Sequence, residues 1–324
     1  MRLVVAIALD EPWSVISRLV AYAAHAQALG LEIVFKTLSP EGIDATLKMA
    51  PFSPSLAASI SDLSELVPRE GDVVLFSAPK VHHTVTAQYG RRRADFIHLV
   101  QSGLAASAVG ELGYGYRLFQ KPMTRVVASR RVEEDIVRLV GEGIEMTSID
   151  AGFLLSPFKR TPLADDPFCV VINAFDGDFT GRVVDIARER GFAGDVKVVE
   201  ASTPFEARVA AYRAGSVLLA APRFGEGLYQ PAFEAMAAGC AVVMTNCEAL
   251  TTLPEGVYAS EVITQGDLEG MVRALFTLEA LAPETRTARR AADMAALTAL
   301  SITGEAAAAR AMFARVFHLE EAAG

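Results

Sequence analysis

Short apolar runs rich in β-branched residues recur along the first half of the chain, at Leu3 to Leu9, Glu32 to Lys36, Val73 to Ser77, Phe96 to Val100 and Arg125 to Ser129. Between several of them the apolar positions change to helical spacing, as in Val15 to Leu29, closed by Gly30, and Val132 to Val140, closed by Gly141. Strands that are apolar throughout, alternating with helices, predict a parallel sheet covered on both faces. From Leu154 to Pro167 the chain crowds Ser156-Pro157, Thr161-Pro162 and Asp165-Asp166-Pro167 into a linker-like passage. The alternation then restarts, with strands predicted at Phe168 to Asn173, Val196 to Glu200, Ser216 to Ala220 and Ala241 to Thr245. Helices are predicted around Thr180 to Arg190, Pro204 to Arg213 and Pro231 to Ala238, and after Asp267 the chain is Ala-rich and helical. The expected architecture is α/β, with two Rossmann-like doubly wound domains over residues 1–155 and 156–303 and a closing segment over 304–324. Ligands of such sheets bind beyond the carboxyl ends of the strands, which makes a cleft between the domains the expected site.

Composition agrees with this division. A chain of 324 residues exceeds the length at which one core usually stops growing, and 52% apolar with 21% charged residues is globular material. No apolar run approaches the roughly 18 residues that cross a bilayer. Met1 to Leu9 is too short and too quickly followed by Asp10, Glu11 and Pro12 to read as a signal peptide, and fits a first buried strand. Cys169, Cys240 and Cys247 are odd in number and lack metal-ligand spacing, so a reducing cytoplasm is expected. His82-His83 has no third ligand at metal spacing. The net charge of −9 hides a basic zone from Lys80 to Arg131, with nine basic residues, Arg91, Arg92 and Arg93 among them, against two acidic ones. An acidic protein with one such zone is a poor general nucleic-acid binder but suits a local anionic partner.

Candidate chemistry concentrates in Arg223 to Val243, RFGEGLYQPAFEAMAAGCAVV. Pro231 suits the first turn of a helix and Gly239 its stop, so a helix begins just after Gln230. Gly225 and Gly227 let backbone N–H groups approach a ligand, and with the helix dipole they form an anion site suited to a diphosphate. Glu234 sits one turn into that helix among Phe233, Ala235, Met236 and Ala237, where a carboxylate is costly unless paired. Two vicinal ribose hydroxyls satisfy both its oxygens, whereas pairing inside its own domain is the structural alternative. Glu226, in the preceding loop, is placed to accept hydroxyls of a sugar beyond the phosphates, or is a solvated loop acid. Ribose, diphosphate and sugar in a row describe a nucleotide sugar.

The segment EGLYQPAFEAMAAGCAVVMT resembles the Glu, seven residues, Glu motif of retaining glycosyltransferases with the GT-B fold, above all glycosyltransferase family 4, usually written EGFGLPxLEAMAxGxPVVAT. The likeness covers Glu226, Gly227, Pro231, Glu234, Ala235, Met236, Ala237, Gly239, Val242, Val243 and Thr245. It implies that Glu226 holds the donor sugar, Glu234 the ribose, and the amides of Gly227, Leu228 and Tyr229 the diphosphate and sugar. It also implies catalytic roles for Glu226 and for a donor-facing His98 in DFIHLVQ, and a closing helix around Phe313 to Leu319 that returns to the N-terminal domain. The chain departs from the family where an Arg and a Lys usually hold the diphosphate. Here it reads NAFDGDFTGR, with Asp176 and Asp178 in their place and Arg182 or Arg223 as candidate substitutes.

The resemblance implies a retaining glycosyltransferase that moves a sugar from a nucleotide diphosphate to an acceptor hydroxyl, with no cofactor and no required metal. The implied partners are a nucleotide sugar and a glycan or lipid-linked acceptor of bacterial surface polysaccharide or glycoconjugate synthesis, with no nucleic acid. Arg91, Arg92 and Arg93 are expected on the acceptor side, or in peripheral contact with the inner face of a membrane. A nucleotide-sugar epimerase of the same fold, or an inactive nucleotide-sugar-binding scaffold, are the alternatives.

Overall fold

The computed structural model describes residues 1–8, 11, 13–38, 60–102, 114–160, 167–200, 202–222, 229–246, 261–297 and 302–319. They form two compact units, one of Met1–Gly152 with Ile302–Gly324, the other of Phe153–Ser301.

The first unit holds strands β1 (Arg2–Ile7), β2 (Glu32–Thr37), β3 (Ile60–Asp62), β4 (Asp72–Phe76), β5 (Ala94–Val100), β6 (Thr124–Val127) and β7 (Thr147–Ser148). They make one parallel sheet in the order β3-β2-β1-β4-β5-β6-β7. Its helices are α1 (Trp13–Gln27), α2 (Pro79–Tyr89), α3 (Tyr114–Phe119), α4 (Arg130–Val140) and, from the end of the chain, α10 (Ile302–Val316). Every residue of β1 is buried, and its period of two divides it between two layers. Leu3, Val5 and Ile7 pack with Ile16, Leu19 and Tyr22 of α1 and with Ala309, Met312 and Phe313 of α10. Val4 and Ala6 pack on the other face with Val74, Phe76, Val81 and Val85. Helix α10 thus completes the first unit's core, and burying Phe313 alone contributes roughly 1.5 to 3 kcal/mol. Polar groups brace this seam. Glu305 of α10 accepts the Gly152 N–H at 2.7 Å and lies 3.4 Å from both Arg18 and His25 of α1.

The second unit holds β8 (Cys169–Asn173), β9 (Asp195–Val199), β10 (Val217–Ala220), β11 (Ala241–Thr245) and β12 (Glu261–Ile263), all parallel, in the order β12-β11-β10-β8-β9. Helices α5 (Phe179–Glu189), α6 (Phe205–Ala214), α7 (Gln230–Ala237), α8 (Leu268–Glu279) and α9 (Pro283–Ala296) accompany them. Val170, Ile172, Val217, Leu219 and Val243 pack against Val183, Val184 and Ala187 of α5 and Met271 and Leu275 of α8. Among the described residues, no helix is long and apolar enough to cross a membrane.

The predicted strands and helices match these elements to within a few residues at their ends. The short strands β3, β7 and β12 and the helices α2 and α3 were not predicted. Two or three residues at a sheet edge are too few to display a period, and α2 carries its polar pair His82-His83 where an apolar stripe would announce a helix.

Candidate functional site

Strand order in the second unit reverses between β8 and β10, the point at which doubly wound sheets open a crevice for ligands beyond their carboxyl ends. The residues just past those ends belong to one hydrogen-bonded chain. Tyr212 of α6 donates its hydroxyl to Asn173 Oδ1 at 3.0 Å, and Asn173 Nδ2 donates to the Tyr229 hydroxyl at 2.7 Å. Tyr229 in turn donates to the Asp176 carboxylate at 2.7 Å, which also accepts the Ala221 N–H at 2.9 Å. Asn173 is the last residue of β8, and Asp176 follows on a single helical turn released by Gly177, whose φ of 83° suits glycine. Burial, then the Asp176 charge, raises the Tyr229 hydroxyl well above its ordinary pKa, so it stays a proton donor. Asp176 therefore ties β8, β10 and the entry to α7 together.

Helix α7 begins at Gln230 with Pro231 in its first turn and stops at Gly239, φ 83°, as its sequence requires. All of α7 is buried, Glu234 included at 0% exposure. The carboxylate has an internal counter-charge, the pairing inside its own domain that stands as the alternative to ribose. Arg208 of α6, itself buried, places Nε 3.8 Å from Glu234 Oε2. That distance exceeds a hydrogen bond, and Gln230 Nε2 donates at 3.3 Å only to Oε1. Oε2 is thus a buried acceptor with no donor among the described residues. Desolvation raises the Glu234 carboxyl well above the ordinary range, with Arg208 opposing it.

Glu226, Gly227, Leu228 and Arg223 lie outside the described residues. Arg182 is exposed in the first turn of α5, and its guanidinium has no partner among the described residues. His98, expected to face the donor, occupies the interior of the first unit at 0% exposure. Its ring stacks on Phe76 at 4.9 Å and 2°, and Nε2 lies 3.0 Å from the Ser77 carbonyl. Burial, reinforced by the nearby Arg125 charge, pushes its pKa down to about 3. The ring thus fills the core between Phe76 and Phe119 of the first unit. Arg91, Arg92 and Arg93 are exposed in the turn entering β5, at the amino ends of the strands. An acceptor site is expected at the carboxyl ends, so the structure places the triplet at the opposite end of its sheet. His82 is buried against Phe76 and Phe96 while His83 is exposed, and no group of three metal-ligating side chains occurs among the described residues. Cys169 and Cys240 are buried free thiols, and burial pushes the latter up to about 12; Cys247 lies outside the described residues.

Asn173, Arg208 and Tyr212 carry no site signal of their own in the sequence, and Asp176 shows there only as a departure from the family pattern. What the sequence offers is an Asn ending an apolar strand and an Arg and a Tyr four apart on one helix face, and both acquire meaning only through long-range contacts.

No family profile matches the sequence, and none of the curated proteins does. Similarity in shape, by contrast, runs the length of the chain. HepE from Anabaena, solved with UDP and glucose, aligns with a TM-score of 0.72 at 11% identity, covering 97% of this chain and 100% of that one. The fold is GT-B. Other structures sharing it include sucrose-phosphate synthase from Thermosynechococcus elongatus, with a TM-score of 0.71 at 14% identity over 98% of this chain and 99% of that one. The pneumococcal O-GlcNAc transferase GtfA, solved with UDP and GlcNAc, reaches 0.68 at 10% identity over 98% and 99% of the two chains.

Proposed function

We propose that this chain is a retaining glycosyltransferase that binds a nucleoside diphosphate sugar beyond the carboxyl ends of β8 and β10. It passes the sugar to a hydroxyl of a glycan or lipid-linked acceptor in bacterial surface polysaccharide or glycoconjugate assembly. The observation that carries this reading is the unsatisfied Oε2 of Glu234, separated from Glu226 by the seven intervening residues of the family motif. A buried carboxylate oxygen without a donor costs on the order of 1 to 3 kcal/mol, and a ribose hydroxyl supplies the missing bond. The GT-B fold, shared with proteins solved with UDP and a sugar, supports the same reading.

Glu226 takes the donor sugar, Glu234 the ribose, and the N-terminus of α7 with the amides of Gly227, Leu228 and Tyr229 takes the diphosphate. Arg182 and Arg223 supply the positive charge that Asp176 does not. The anomeric C–O bond to the diphosphate breaks as the acceptor oxygen bonds to the same carbon, and the acceptor proton passes to the departing diphosphate. Both oxygens share one face of the sugar, so the step demands no protein nucleophile and no metal. Catalysis rests on positioning and on stabilising the diphosphate charge.

Asp176 favours a second reading, a protein that binds nucleotide sugar without transferring it, because a carboxylate near the leaving group opposes the charge that develops there. Incubation with UDP-, GDP- and dTDP-sugars, followed by proton NMR of the anomeric signals, separates the two. Transfer or hydrolysis with the donor's anomeric configuration retained is the expected result. Inversion overturns the retaining mechanism, and binding without turnover establishes the second reading.

A further inference from the structure

We infer that the first unit carries a second binding site, at the amino ends of its strands, for a phosphate group with neighbouring hydroxyls. A cavity of about 770 Å³ opens there, where β5, β6 and β7 begin and α10 ends. It lies at the end of the sheet opposite to the one where doubly wound folds hold their ligands, and it is independent of the donor site proposed above.

Arg125, on β6, supplies the reason for an anion. The residue lines the cavity yet is only 4% exposed, and its guanidinium is held by backbone carbonyls around it. It donates to the carbonyls of Leu118 at 3.1 Å, Phe119 at 3.0 Å and Met123 at 3.3 Å, and to that of Lys121. Its Nε has no acceptor, and no carboxylate pairs with it among the described residues. The other buried arginines of this unit are treated differently. Arg2 bonds Asp72 at 2.8 Å, and Arg18 lies 3.4 Å from Glu305. A buried cation left to carbonyl dipoles alone is costly, and its field acts on whatever enters the adjoining space.

The rim continues the pattern. Lys121 and Arg315 are exposed on the cavity wall, and Arg315 Nη2 reaches Thr147 Oγ1 at 3.4 Å. Arg93 immediately precedes the lining residue Ala94, so the exposed Arg91 to Arg93 turn flanks the same opening. This gathers much of the sequence's basic zone, with an arginine from the far end of the chain, at one place. Asp95 and Glu145 also line the cavity. Their carboxylates only accept hydrogen bonds, which suits hydroxyls beside a phosphate and disfavours a bare polyanion. The chemistry is that of a sugar phosphate or of a hydroxylated phospholipid headgroup.

Calorimetry with glucose 6-phosphate, against glucose at matched ionic strength, tests the soluble source. Sedimentation with phosphatidylglycerol against phosphatidylcholine vesicles tests the headgroup. Saturable binding of at least one phosphate-bearing probe is expected, with the neutral counterpart of that probe silent. Lys121→Glu and Arg315→Glu, both at exposed side chains and checked for unchanged circular dichroism, are expected to weaken it by about tenfold or more, the scale of one lost charged hydrogen bond. Arg188→Glu, exposed on α5 of the other unit, is expected to leave it unchanged. Binding of neither probe, binding insensitive to Lys121 and Arg315, or equal loss in Arg188→Glu overturns the site.

Discussion

Replacing His98 with Phe separates a core histidine from a catalytic one through acid stability. In the folded protein burial holds the imidazole neutral down to a pKa of about 3, whereas the free side chain titrates near 6.5. The folded pKa is the lower of the two, so between these values the unfolded chain binds the extra proton. Stability from this residue is therefore complete above about pH 7 and falls as pH drops toward 3, by about 4 to 5 kcal/mol in all. Within that window the slope approaches about 1.4 kcal/mol per pH unit. His98→Phe keeps an aromatic ring against Phe76 but abolishes this slope, while the lost bond to the Ser77 carbonyl costs about 1 to 3 kcal/mol at every pH. His82, buried nearby with its pKa lowered to about 4, titrates in both proteins. The chain's only tryptophan, Trp13, belongs to the first unit, so its fluorescence in urea titrations at pH 7, 6, 5 and 4 follows the unit that contains His98. The stability difference between wild type and variant is expected to shrink, and then to reverse, on acidification. A difference independent of pH refutes a neutral buried His98.

Tyr229→Phe removes the hydroxyl linking Asn173 to Asp176, leaving buried polar groups unpaired, and is expected to lower second-unit stability by about 1 to 3 kcal/mol, read by circular dichroism in urea. Asp176→Asn removes a negative charge where a diphosphate is proposed to sit and is expected to tighten UDP binding by several-fold, with the gain shrinking in high salt; unchanged affinity places the diphosphate elsewhere. Glu305→Ala strips the shared partner of Arg18, His25 and the Gly152 N–H, and is expected to cost about 3 to 5 kcal/mol in urea titrations followed by Trp13.

Much of the architecture is legible in the sequence because both sheets are parallel and sealed on both faces. Their central strands read as unbroken apolar runs, and Val170-Val171-Ile172 or Val242-Val243-Met244 leave little room for another element. The edge strands β7 and β12 stay hidden because their pairing is imposed by the neighbouring strand more than by their own residues. The motif helix is predictable from Pro231 and Gly239, and so is the need of Glu234 for a partner, but the identity of that partner is not. Arg208 and Glu234 are 26 positions apart, and only folding shows that α6 turns its arginine toward α7. The packing of His98 was hidden for a related reason. A histidine near the end of a strand resembles a ligand-facing group in sequence, yet its strand lies between β4 and β6, and its ring fills the layer formed by Phe76 and Phe119. The missing Arg and Lys were visible as Asp176 and Asp178, whereas the use of Asp176 as a tie between Ala221 and Tyr229 depends on contacts 45 and 53 positions away.

Calorimetric titration of UDP, GDP and dTDP, alone and as sugar conjugates, into wild type, Glu234→Gln and Glu226→Ala tests the donor site most directly. At least one nucleoside diphosphate is expected to bind the wild type, and Glu234→Gln to bind it about tenfold or more weakly, because one charged hydrogen bond to the ribose is lost. Glu226→Ala is expected to keep that affinity while losing the preference for the sugar conjugate over the bare diphosphate. Absence of nucleotide binding in the wild type, or equal loss of diphosphate affinity in both variants, contradicts the assignment of Glu234 to ribose and Glu226 to sugar.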